Sequence, residues 1–142
     1  MERRRDAEAP LTVAELHQLS KALLQLHKAL LDGERLVYER RHGPIASNGQ
    51  FLQLVLGHPD FAWLRHLSRV MAQLDDLTAK GDATGAIGHL LAALRALLSP
   101  VEGDDGFAGR YDQALQRDAD VMLYHGIVSK LLAAAGNKGE ET

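Results

Sequence analysis

Cysteine is absent from the chain, so disulfide staples, thiolate chemistry and zinc sites built on thiolates are excluded. Aromatic residues are only 5% of the sequence, too few for a surface that stacks nucleic-acid bases. No apolar run approaches the about 18 residues of a membrane span, so no membrane partner is expected. Excess positive charge is missing too. The formal net charge is -3, which gives bulk electrostatics no role in nucleic-acid binding. The one basic cluster, Arg3, Arg4 and Arg5, reads as a solvated tail. The first residues are charged and lead into no apolar segment, unlike a signal peptide. With the lack of cysteine, this predicts a cytoplasmic protein.

What is present is a leucine-rich helical pattern. Apolar residues make up 46% of 142 and charged residues 25%, enough for one domain with one core. Thr12-Val13-Ala14-Glu15 reads as a capping box. After it, Leu16, Leu19, Leu23, Leu26, Leu30 and Val37 repeat at steps of three and four, with Gly33 filling the gap, and Leu24, Leu31 and Tyr38 form a second row. Gly43-Pro44 ends this helix. Ser47-Asn48-Gly49-Gln50 reads as a second capping box that opens a short helix over 51–56, stopped by Gly57. His58-Pro59-Asp60 restarts the chain with Pro at the first helical position. Trp63, Leu67, Val70, Leu74 and Leu77 mark the third helix, closed by Gly81. Asp82 is the expected cap of a fourth helix with Ile87, Leu90, Leu91, Leu94 and Leu98, stopped by Ser99-Pro100. After a polar loop over 101–106, Asp104 or Asp105 is expected to cap one last long helix carrying Phe107, Tyr111, Leu115, Val121, Met122, Val128 and Leu132, ended by Gly136.

No segment alternates as a strand would. The sequence therefore predicts an all-α fold: an up-down four-helix bundle with one additional short helix. Residues 1–11 are expected to form a frayed N-terminal tail, 12–136 the single bundle domain and 137–142 a disordered tail.

The most distinctive stretch runs from Tyr38-Glu39 through His42-Gly43-Pro44-Ile45, Phe51-Leu52-Gln53-Leu54-Val55 and His58-Pro59-Asp60-Phe61-Ala62-Trp63-Leu64-Arg65 to Leu67-Ser68 and Asp75. It resembles a family of uncharacterised bacterial helical proteins that share a G-P-I, F-L-Q-L, F-A-W-L, L-S, then D pattern. The resemblance covers the first half of the chain and implies a bacterial helical domain without assigning any residue a role.

Tests for chemistry return little. A di-iron bundle needs two Glu-x-x-His pairs, and only Glu39-x-x-His42 occurs, on the last turn of its helix. No His-Glu-x-x-His, nucleophile elbow or phosphate loop is present, so no catalytic residue, metal or cofactor is predicted. Gly33, Gly88 and Gly126 lie inside helices, each at a cost of about 1 kcal/mol relative to Ala. Close helix approach explains them; room for a ligand is the alternative.

His27, Asp118 and His125 stand where a bundle favours leucine and are the candidates for a ligand site or polar core. On antiparallel first and last helices they fall at similar heights, which predicts one shared cluster. A satisfied structural network is one reading of it and bis-His haem ligation the other. Phe51, Phe61 and Trp63 are read as aromatic core rather than a ligand cage. Arg35, Arg40, Arg41, Arg65 and Arg69 are read as a solvated face, with an acidic partner surface as the alternative. The leading expectation is a non-enzymatic bundle acting through protein–protein contact, either as a homodimer or with an unidentified protein partner. Flanks such as Leu36, Val37, Leu131 and Leu132 are offered as the surface a second copy covers. A small-ligand or haem-binding bundle is the alternative, and an enzyme of unknown chemistry is a third reading.

Overall fold

The structure is a computed structural model that describes residues 11–81 and 85–140, with backbone alone for 136–140. Arg3, Arg4, Arg5 and the expected cap Asp82 lie outside the described residues. The described residues are all helix, turn or loop, with no strand among them. In chain order they form α1 (Val13–His42), α2 (Asn48–Gly57), a 3-10 turn (Pro59–Phe61), α3 (Leu64–Lys80), α4 (Ala86–Leu97), α5 (Phe107–Arg117) and α6 (Ala119–Glu140). No helix among them is long and apolar enough to cross a membrane.

Local chemistry sets the ends of α1. Thr12 Oγ1 accepts from the Glu15 N–H at 3.1 Å, and Glu15 Oε1 accepts from the Thr12 N–H at 2.9 Å, which closes the capping box. At the other end the Gly43 N–H bonds the Glu39 carbonyl, and Gly43 takes φ 91°, a value that favours glycine. Arg40, Arg41 and His42 crowd the last turn, where the helix dipole favours cations.

The leucine seam is the core. Leu16, Leu19, Leu23, Leu26 and Leu30 of α1 are buried with Leu64, Leu67 and Leu74 of α3, and with Leu91 and Leu94 of α4. Each such side chain contributes about 1.5–3 kcal/mol by leaving water. Leu11, just before α1, is buried in the same core. Helix α1 packs against α3 and α6, α3 against α4, and α4 against α6. Ser20 donates to Asp75 and ties α1 to α3.

Several expectations need correction. The last helix is not continuous. It breaks at Asp118, whose backbone is extended (φ -118°, ψ 117°) between α5 and α6. Neither Asp104 nor Asp105 caps α5, which begins after Gly106 with no side-chain cap; Asp104 instead accepts from the Gly106 N–H at 2.9 Å. The third helix opens with a 3-10 turn that has Pro59 in its first positions, and α3 proper starts at Leu64. Helix α6 runs to Glu140, past Gly136. Leu24 and Met122 are exposed, not core, and Leu132 is buried, so it offers no free flank. Leu36 is exposed.

Candidate functional site

The unusual feature of the interior is Glu34, a carboxylate only 8% exposed. A buried carboxylate is costly unless charge and hydrogen bonds meet it. Here both do. Trp63 Nε1 donates to Oε1 at 3.0 Å. Arg110 Nη2 reaches the same oxygen at 3.4 Å, and Arg117 Nη2 lies 3.2 Å from Oε2. Arg117 also grips Asp118 Oδ2, from Nη2 at 2.8 Å and Nε at 2.9 Å. Arg110 donates to the Asp60 carbonyl at 3.3 Å, with its guanidinium 5.8 Å from the Trp63 ring centroid. One carboxylate on α1 thus gathers the entry to α3, the helix α5 and the break before α6. Burial would lower the Arg117 pKa, but Asp118 and Glu34 outweigh it and hold the group above its ordinary value.

Gly33 explains how the knot fits. A Cβ there would collide with the Asp118 carboxylate and crowd Arg117, so glycine leaves room for the pair against α1. No heavy atom lies within 4 Å of a Cβ built at Gly88 or Gly126, so close approach accounts for Gly33 alone of the three. Glu34, Arg110 and Arg117 of the knot also line, with Tyr38, Arg41 and Asp60, a polar cavity of about 230 Å³.

Beyond the cavity, the end of α1 meets the segment before α3. The Tyr38 ring lies 4.5 Å from that of His42, 5.2 Å from His58 and 6.0 Å from Phe61. His58 Nδ1 accepts from the Asp60 N–H at 3.1 Å and caps the 3-10 turn. Asp60 Oδ2 is 3.9 Å from both His42 Nε2 and His58 Nδ1. Glu39 does not join them. Its carboxylate accepts from the Ile45 N–H at 2.9 Å and pairs with Arg35 at 3.8 Å.

The residues singled out in the sequence are spread over different neighbourhoods. His27 Nε2 bonds the Ser68 hydroxyl at 2.7 Å, between α1 and α3. His125 Nδ1 bonds the Tyr111 hydroxyl at 2.7 Å, and its Nε2 lies 3.4 Å from Ser129 Oγ. Asp118 belongs to the Glu34 knot. Among the described residues no hydrogen bond joins the three. Beside His125, Arg95, Leu98, Ser129 and Leu132 line an open depression of about 360 Å³. Phe61 is fully buried, Trp63 is partly buried against the core, and Phe51 is half-buried with its ring 5.7 Å from Phe61. Arg35 and Arg65 are more than a solvated face. Arg35 lies 4.8 Å over the Phe51 ring, and Arg65 donates to the Val55 and His58 carbonyls at 3.4 Å, which steadies the end of α2.

Burial lowers the pKa of both His27 and His125 and pushes that of Tyr111 up. A histidine whose folded pKa is depressed binds fewer protons folded than unfolded. Its contribution is complete above the unfolded pKa of about 6.5 and is lost as pH falls from there through the folded value. Unfolding by urea is therefore expected to show stability falling as pH drops below about 6.5. A His27→Gln/His125→Gln variant should show a shallower fall; an unchanged slope would remove the two histidines from the account.

Glu34, Arg110 and Arg117 went unnoticed in the sequence, as did the meeting of His42 with His58 and Asp60. A signal for the first group existed: a carboxylate beside a mid-helix glycine on the buried stripe, and two arginines one heptad apart. Compared with known protein families, curated proteins and solved structures, the chain matches none.

Proposed function

We propose that the chain is a non-enzymatic bacterial helical domain, cytoplasmic, that acts through protein–protein contact with a second copy of itself. The observation that carries this reading is α2. Its ten residues, NGQFLQLVLG, include no charge, and none of them is buried. Leu52 is 58% and Leu56 68% exposed. The ring of contacts among α1, α3, α4 and α6 supports the up-down four-helix arrangement, and α2 stands apart from it, packed mainly on the neighbouring 3-10 turn. An uncharged apolar helix meets its own copy across a two-fold axis without like-charge repulsion, and each copy covers the other's leucines.

Helix α2 is about 15 Å long and about 10 Å across, so one face offers far less than the about 800 Å² per partner of a standard interface, and the dimer is expected to be weak and concentration-dependent. Sedimentation velocity over a concentration series tests it. The wild-type chain should shift toward the dimer as concentration rises, and Leu52→Glu/Leu56→Glu should remain monomeric with the same helical circular dichroism. A wild-type chain that stays monomeric at every concentration, or a double variant that dimerises equally well, would overturn the proposal.

A further inference from the structure

His42 is the last residue of α1, His58 follows α2, and Asp60 sits in the 3-10 turn. One ligand atom from each lies within 4.8 Å of the others. We propose that these three side chains bind a single divalent transition ion of the zinc class, with water completing the coordination.

The donor set argues for the class. Two imidazole nitrogens and one carboxylate oxygen suit zinc and its neighbours, whereas calcium and magnesium seek oxygen alone. Metal–ligand bonds of about 2.0–2.2 Å place tetrahedral ligands about 3.3 Å apart. Starting from 3.9 Å on either side of Asp60 Oδ2 and at most 4.8 Å between the two imidazoles, the side chains need to close by about 0.6 Å along the first two edges and by no more than about 1.5 Å along the third. They are free to do so, because the His42 side chain is 47% exposed and those of His58 and Asp60 are each 30% exposed. The same exposure opens a path for the ion. The Tyr38 ring, packed against both imidazoles, limits how far they swing.

Two terms oppose binding. His58 Nδ1 now accepts from the Asp60 N–H, and an ion on that nitrogen takes its lone pair and leaves the N–H to water. Arg41, Arg110 and Arg117 line the cavity next to Asp60 and add positive charge, which Glu34 offsets in part for Arg110 and Arg117. Both act against the attraction of one carboxylate oxygen and two imidazole nitrogens for one cation. The site also has a structural consequence. His42 and His58 bracket residues 43–57, so an ion held by both closes that excursion at its base and fixes where α2 emerges. This inference stands independently of the dimer, since all three ligands come from one chain.

The test is calorimetric titration of the chelator-treated full chain with zinc chloride. One ion per chain is expected. Changing outer-shell partners alone alters metal affinity by about 10- to 100-fold, so losing a direct ligand in His42→Ala or Asp60→Asn should weaken binding by at least about tenfold. His89→Ala, an exposed histidine on α4, should bind as the wild type does. Circular dichroism confirms that each variant is folded, and the exposure of His42 favours this for His42→Ala. Absence of saturable uptake, one ion per two chains, or uptake unchanged in both His42→Ala and Asp60→Asn would overturn the proposal.

Discussion

Glu34→Ala is expected to lower stability by about 3 kcal/mol, measured by urea unfolding. Removing one partner of a buried charge cluster costs about 3–5 kcal/mol because the opposite charges remain in place without compensation. Here the truncation strips an acceptor from the Trp63 indole N–H and the counter-charge from Arg110 and Arg117. The arginine side chains are 42% and 28% exposed, so water recovers part of the loss, which places the effect at the low end of that range. Arg117 also keeps Asp118. Glu34→Gln retains an acceptor for the indole while losing the charge, and should fall between wild type and Ala. A loss below about 1 kcal/mol for Glu34→Ala would mean that the knot contributes little.

Phe61→Ala is expected to cost about 3–5 kcal/mol, the range for deleting a buried aromatic side chain. The ring is fully buried and lies 6.0 Å from Tyr38, 5.7 Å from Phe51 and 6.5 Å from His58. It is therefore the hub through which the 3-10 turn holds both the end of α1 and the start of α2. Since α2 buries none of its own residues, the loss of Phe61 should loosen α2 before the rest of the fold. Thermal or urea unfolding gives the magnitude. Amide exchange that accelerates first over residues 48–57 would carry the signature of this hub, and a near-neutral variant would contradict it.

How far the sequence reveals this architecture differs by level. The helices and their core leucines follow from local rules. The Thr12–Glu15 box, the seam from Leu16 to Leu30 and the stop at Gly43-Pro44 each involve residues close in the chain, where propensity and periodicity act. The break at Asp118 does not. Ala114, Leu115, Val121 and Met122 continue a helical spacing straight through it, so the pattern reads as one helix. Extended backbone there sets Asp118 against Arg117 and Gly33, an arrangement between segments distant in sequence. Glu34 is hidden for the same reason. A carboxylate on a helix reads as a rim residue until Trp63, Arg110 and Arg117 are seen around it. His42 looked isolated because its neighbours His58 and Asp60 lie beyond a whole helix. Conversely, His27 and His125 stand out in the sequence from their helical neighbours, and their partners Ser68 and Tyr111 do not.

The claim that α2 is a contact element is tested most directly by hydrogen exchange of its amides across a series of chain concentrations. Residues 51–57 should gain protection as concentration rises, while the middle of α1, already buried, stays unchanged. Exchange over 51–57 that does not vary with concentration would contradict the account.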